Sequence, residues 1–341
     1  MIFCTLFNRL FLPQGIALYR SLERTAKGNF LLYVLCLDDA TAEALAPFAF
    51  PNLRIVRLND IDDEELKAEQ PKRSIGEFCW TCTAPLILHV QDRHPPGTVV
   101  AYVDADIRFF SDPSVILEEL GDGSIFIHEH DFAPQHAHLL ERAGRFNVGV
   151  TAVRNNAEGR VCLERWRAQC LGECVMDPLA GKCGDQHYLN EWPNLYGGLV
   201  ISSNPGVGLA PWNVAEHRIG LDRQTVTVDG RPLVFYHYHA LRLLRPHFGI
   251  KPVLMGLGYF FSPGVIAAIY RPYVRELWRA LNDLNGLKFL IMTDFVTVPA
   301  VGEPGTNQQL LLSMGGLSVP AERNTPMMKR FFDLGGRRVA V

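Results

Sequence analysis

Continuous apolar runs separated by helix-like segments fill the first half of the chain and restrict it to an open α/β sheet. Residues 2–7 (IFCTLF), 30–37 (FLLYVLCL), 53–58 (LRIVRL) and about 98–103 (TVVAYV) each read as a strand. Between them lie a segment with Pro13 at a helix start, a short one near 41–47 and a longer one over roughly 74–91. Strands buried on both faces carry unbroken rather than alternating hydrophobicity, and a β-α-β order predicts parallel pairing with helices on both faces. In such sheets ligands bind beyond the carboxyl ends of the strands, so whatever follows each strand is a site candidate.

The second half is less regular. Strands are expected at 124–128 and 147–153, a helix near 157–174, a β-rich stretch near 225–237 and an amphipathic helix over 265–284. The pattern weakens after Gly286, which sets an expected division into a main domain, 1–285, and a C-terminal extension, 286–341.

Composition removes several classes. Apolar residues make up 48% of 341, enough for a sizeable core, and charged residues 20%. The net charge of −3 and the lack of a dense Lys/Arg block argue against a nucleic-acid protein. Residues 2–7 are too few for a signal-peptide core, and the apolar stretch 252–270 is broken by Gly256, Gly258 and Ser262-Pro263-Gly264. A spanning helix needs ~20 continuous apolar residues. The expectation is therefore a cytoplasmic protein without a transmembrane segment and with its eight cysteines reduced. Cys79-Trp80-Thr81-Cys82 has redox or zinc spacing but no facing pair, and Cys162, Trp166, Cys170 and Cys174 form one helix stripe, so both read as core. A zinc held by Cys170, Cys174 and Cys183 lacks a fourth ligand. The aromatic region around Tyr259-Phe260-Phe261 and Ile269-Tyr270 reads as core, with peripheral contact to a membrane-bound acceptor as the alternative.

The strongest chemical feature is Tyr102-Val103-Asp104-Ala105-Asp106, where a buried strand ends on two carboxylates one residue apart. Hard divalent cations take oxygen ligands and often share them with a substrate phosphate. The plain alternative is a solvated turn or helix cap. Downstream, His237 and His239 would share one face if their segment is a strand.

The segment YVDADIRFFSDP resembles the metal-binding segment of GT-A nucleotide-sugar glycosyltransferases, particularly the retaining ones grouped around family 8. Phe146-Asn147-Val148-Gly149-Val150 resembles their F-N-x-G-V strand, and Gly184-Asp185-Gln186-His187-Tyr188-Leu189-Asn190 resembles their D-Q-x-x-L-N segment. Tyr236-His237-Tyr238-His239 resembles their late histidine strand. The four segments occur in the family's order, over about residues 1–285. The resemblance implies a mixed, mostly parallel Rossmann-like sheet, a nucleotide-sugar donor of the uridine diphosphate kind, Mn2+ or Mg2+, and a glycan or other acceptor.

Residue by residue, it implies that Asp106 binds metal, that Asp104 contacts the donor ribose and the metal, and that His237 or His239 completes the set. Asp185 would bond the donor sugar hydroxyls, Gln186 would lie near the anomeric carbon, and Asn147 would hydrogen-bond the sugar. Thr5, Leu6 and Asn8 would hold the base and ribose, and Arg73 would reach the phosphate or sugar. The family shows a glycine three residues and a lysine six residues after its histidine. Counting from His237 gives Ala240 and Leu243, while His239 gives Arg242 and Arg245, with Arg245-Pro246 standing where a Lys-Pro ending would. Retention would follow from acceptor attack on the leaving-group face, a diphosphate oxygen taking the proton. Simpler roles remain open: Asp185 as a helix cap, Asn147 at a strand edge, Arg73 as an exposed arginine. A sugar nucleotidyltransferase or a non-catalytic nucleotide-sugar or glycan-binding module on the same scaffold are the rival functions.

Overall fold

The structure, a computed structural model, describes residues 1–177, 180–243, 254–257, 259, 261–286, 308–311 and 318–321. Two compact units divide the chain after His237.

The first unit is built on seven strands. They are β1 (Ile2–Phe7), β2 (Leu31–Cys36), β3 (Leu53–Arg57), β4 (Val99–Val103), β6 (Ile125–Glu129), β7 (Phe146–Arg154) and β10 (Leu199–Ile201), in the order β10-β6-β7-β4-β1-β2-β3. Between β4 and β6 comes the short β5 (Ile107–Phe109); β8 (Met176–Asp177) and β9 (Lys182–Cys183) form a small pair of their own. Strand β1 pairs in parallel with β2 and β4, β2 with β3, and β10 with β6. Strand β7 runs antiparallel to both β4 and β6. This is the mixed, mostly parallel sheet with flanking helices that was expected.

The flanking helices are α1 (Leu12–Thr25), α2 (Asp39–Leu45), α3 (Glu64–Glu69), α4 (Ile75–Thr81), α5 (Thr83–Gln91), α6 (Ser114–Leu120), α7 (Leu140–Ala143), α8 (Ala157–Gly172) and α9 (Trp192–Leu195). Pro13 lies in the first turn of α1, where a missing N–H does no harm. The single helix expected over 74–91 is two helices that meet at Cys82. Pro85 is the reason: it has no N–H to donate to the Thr81 carbonyl, so the ladder breaks one turn earlier. The cysteine stripe of α8 faces the core: Cys162, Trp166 and Cys170 are buried, as is Cys174 beyond the helix end. Trp166 packs edge-on against Trp192, ring centroids 5.2 Å apart.

Three more short strands, β11 (Ile219–Asp222), β12 (Thr225–Val228) and β13 (Arg231–Pro232), form an antiparallel sheet ahead of β14 (Phe235–His237). Strand β14 pairs antiparallel with β5.

In the second unit, β15 (Leu241–Leu243), β16 (Leu254–Leu257), β17 (Gln308–Leu311) and β18 (Ser318–Ala321) form an antiparallel sheet. Strands from beyond Gly286 thus pair with one that precedes it. The amphipathic helix expected at 265–284 spans Pro263 to Gly286, with a π turn at Ile266–Tyr270. Pro272 follows that turn and removes one ladder donor, which accounts for the local widening. Tyr259, Phe261, Ile269 and Tyr270 are buried, so those aromatics serve as core; Phe260 lies outside the described residues. No helix among the described residues is long and apolar enough to cross a membrane.

Candidate functional site

Strand pairing brings the aspartates and one histidine together. Strand β4 ends at Val103, opposite Val150 of β7, and the Asp104 amide donates to the Gly149 carbonyl at 2.9 Å. The chain then turns, the Ile107 amide donating back to the Asp104 carbonyl at 3.1 Å. Strand β14 lies beside β5 with His237 opposite Ile107, one residue past Asp106. As a result His237 Nε2 lies 3.3 Å from Asp106 Oδ1 and 3.7 Å from Asp104 Oδ2. Ligand atoms of all three residues fall within 4.8 Å of one another, and among the described residues this is the group that could hold a metal ion. No cysteine belongs to it, and burial raises the Cys79 thiol to about 12 and the Cys183 thiol to about 11.

The side chains of Asp104 and Asp106 are 32% and 20% exposed and that of His237 6%, so the carboxylates open to one side while the imidazole is sealed. Burial pulls the His237 pKa down, but Asp106 and Asp104 outweigh it and the net direction is up. Asp104 is raised by burial and by Asp106, against the pull of His237 and of the Tyr102 hydroxyl, which donates to Asp104 Oδ1 at 2.8 Å.

Asp185 is buried, and one of its carboxylate oxygens has no hydrogen-bond partner. Burial pushes its pKa up to about 8; the Thr83 hydroxyl works against this and the nearby Asp104 charge adds to it. It precedes a short 3-10 helix, Gln186–Glu191, yet its side chain makes no capping bond. The cap reading is therefore wrong. Its carbonyl accepts from Trp166 Nε1 at 3.0 Å, which ties the segment to α8. Gln186 Oε1 accepts from Asn147 Nδ2 at 2.9 Å, so the Asn147 and Gln186 segments meet beside the aspartates.

Other expected residues fall elsewhere. His239 sits in an exposed turn of the second unit, not in a strand, because β14 stops where its pairing with β5 stops. Alternation along a strand therefore does not relate it to His237. Arg73 is neither an exposed arginine nor a phosphate-facing one: its guanidinium donates to the Cys170 and Leu171 carbonyls, both at 2.6 Å, and pairs with Glu69 at 3.1 Å. Those carbonyls belong to the last turn of α8, which lacks internal donors, so a cation there completes the helix. Thr5 is buried within β1, two residues before its end, with its hydroxyl unpartnered, Leu6 is buried beside it, and Asn8 accepts from the Leu10 amide at 3.1 Å. Arg245 lies outside the described residues.

Four residues near the site carried no sequence signal strong enough to single them out. Tyr102 bonds Asp104, Thr83 bonds Asp185, His130 lies 3.2 Å from the Asn147 amide, and Trp212 packs edge-on to His237 at 5.4 Å. His128 lies in β6 and His130 just past its end, and both are buried.

These two histidines make a prediction. Burial lowers His128 to about 4 and His130 to about 3, from an ordinary 6.5. Below pH 6.5 the unfolded chain takes up protons that the folded one refuses, so stability is full above 6.5 and falls as pH drops towards 4. For His128 alone the loss is about 3 kcal/mol. Urea midpoints should fall steadily across that window; flat midpoints would mean both rings accept protons inside the fold.

Against known proteins, no family model matches the chain. It is 28% identical over 288 residues to the uncharacterized protein YfnD of Bacillus subtilis (strain 168), spanning 83% of this chain and 90% of that protein. With the uncharacterized YfnF of the same organism identity reaches 32% over 249 residues, 71% of this chain and 82% of that one. The chain belongs to the YfnF family. Among solved structures, this YfnF relative is similar to the galactosyltransferase LgtC, in complex with donor and acceptor sugar analogs, at 16% identity and a TM-score of 0.48, over 88% of this chain and 98% of that one. It is also similar to the glycosyltransferase GlyE of Streptococcus pneumoniae TIGR4, at 14% identity and a TM-score of 0.47, over 89% and 65%.

Proposed function

We propose that the chain transfers a sugar from a nucleotide diphosphate donor, of the uridine diphosphate kind, to a glycan or other hydroxyl-bearing acceptor, with retention. The observation that carries this reading is the convergence of Asp104, Asp106 and His237 at the carboxyl end of β4, the edge where open sheets bind ligands.

Two carboxylates and one imidazole suit a divalent ion such as Mn2+ or Mg2+, and the three ligand atoms are close enough to share one. Such an ion, when bound, supplies the positive charge against which a diphosphate departs. The protein supplies the rest. The two partly exposed carboxylates would hold the ion on the open side of the group, where a diphosphate can share it. Asp185, with an oxygen to spare in a buried place, is the acceptor offered to a sugar hydroxyl. The orphaned Thr5 hydroxyl within β1 offers a nucleotide contact of the same kind. In the transfer, the anomeric carbon–diphosphate bond breaks as the acceptor oxygen bonds the same face, and the acceptor proton passes to a diphosphate oxygen.

The test is a panel of nucleotide sugars with and without Mn2+, read by release of the free nucleotide. Metal-dependent release from at least one donor is expected. Binding without release would favour a binding module, and sugar-nucleotide formation with pyrophosphate release would favour a nucleotidyltransferase.

A further inference from the structure

We infer that Asn147 is a positioning residue that holds His237 by its Nδ1, so that Nε2 is the atom presented to Asp104 and Asp106, and that it links this histidine to Gln186. The inference rests on reading those three residues as a metal site.

The orientation of the Asn147 amide follows from groups with only one hydrogen-bonding role. The Gly149 amide can only donate, and it lies 2.9 Å from Asn147 Oδ1, so that atom is the oxygen. A second observation agrees. His130 Nδ1 lies 3.0 Å from the Gly144 carbonyl, which can only accept, so Nδ1 carries the proton. The ring is neutral because burial lowers its pKa to about 3, and its Nε2 is therefore an acceptor. That Nε2 lies 3.2 Å from Asn147 Nδ2, which must be the amide nitrogen.

With the amide fixed, His237 follows. Its Nδ1 lies 3.3 Å from Asn147 Oδ1, an atom that can only accept. Nδ1 therefore carries a hydrogen, and Nε2 is the atom that faces both carboxylates and the one left to ligate an ion. A ligating imidazole needs its other nitrogen held in this way, and such supporting bonds tune the metal.

The other end of the amide reaches Gln186. The Gln186 side chain is itself oriented by the Ala143 carbonyl, which accepts from Nε2 at 2.8 Å. Its Oε1 accepts from Asn147 Nδ2 at 2.9 Å and faces the Val148 amide at 3.4 Å. Asn147 thus uses both lone pairs and both hydrogens inside the protein, and no bond remains for a sugar hydroxyl. Gly149 is what permits the approach: a Cβ there would lie 2.6 Å from Asn147 Oδ1 and 2.9 Å from His237 Nδ1.

The experiment combines Mn2+ titration calorimetry with nitrogen NMR of the metal-free protein. Wild type should show His237 protonated at Nδ1, and Asn147→Leu should lose that signature and bind Mn2+ about 10- to 100-fold more weakly. Asn147→Asp keeps an acceptor for Nδ1 and should restore most of the affinity, which a purely structural role would not predict. A wild-type His237 with no proton on Nδ1, or an Asn147→Leu variant that binds Mn2+ as wild type does, overturns the inference. Absence of Mn2+ binding by wild type would instead remove the metal reading of the site, and the NMR comparison would still decide whether Asn147 holds a protonated Nδ1. Should Asn147→Leu not fold, the wild-type spectrum and Asn147→Asp carry the test.

Discussion

Replacing Asp106 by alanine is expected to abolish metal-dependent release of nucleotide, a loss of about a thousandfold or more. Several kcal/mol of charge stabilisation depart with a catalytic ion, and each 1.4 kcal/mol is about tenfold in rate. Asp106 is the carboxylate nearest His237 Nε2, at 3.3 Å, so its removal takes away one wall of the proposed site and leaves the imidazole facing Asp104 at 3.7 Å. The fold should survive. The turn is closed by backbone, the Ile107 amide on the Asp104 carbonyl, and Asp106 is partly exposed. The urea midpoint should shift by no more than about 1 kcal/mol in stability. Manganese-dependent turnover within tenfold of wild type would remove Asp106 from the site.

Trp166→Ala should have the largest effect on stability, a loss of about 3–5 kcal/mol. The side chain is fully buried, packs edge-on against Trp192 and donates its indole N–H to the Asp185 carbonyl. The substitution therefore opens a void and leaves a carbonyl without its donor. Since that carbonyl belongs to Asp185, donor affinity should fall along with stability, although Trp166 is buried in the core. Urea unfolding and nucleotide-sugar binding check the two halves. A loss of less than about 1 kcal/mol would mean that α8 collapses into the space.

Strand positions were legible because burial on both faces leaves unbroken apolar runs, and β1, β2, β3 and β4 lie within a residue of where those runs end. The direction of β7 was not legible. Its apolar run looks the same in either sense, and its antiparallel pairing with β4 and β6 is a property of the whole sheet. The split between α4 and α5 could have been read from Pro85. The aspartate pair was visible as carboxylates at a strand end, but the choice between His237 and His239 was not. That choice depends on where β14 stops, and pairing with a strand far away in the sequence sets this. Arg73 shows the converse: a cation before a helix looks available until the carbonyls that end α8 claim it.

The three-residue pair of β5 and β14 has a consequence in time. Asp104 and Asp106 emerge early in synthesis, but their imidazole companion is the last residue of the first unit. A contact between segments so distant must wait for a large loop to close, the slow kind of event in folding. A nascent or truncated chain ending before Phe235 has the aspartates but not the histidine of the proposed metal site. Cation affinity would then appear only once the first unit is complete, so that manganese uptake timed against synthesis would serve as a clock for its maturation.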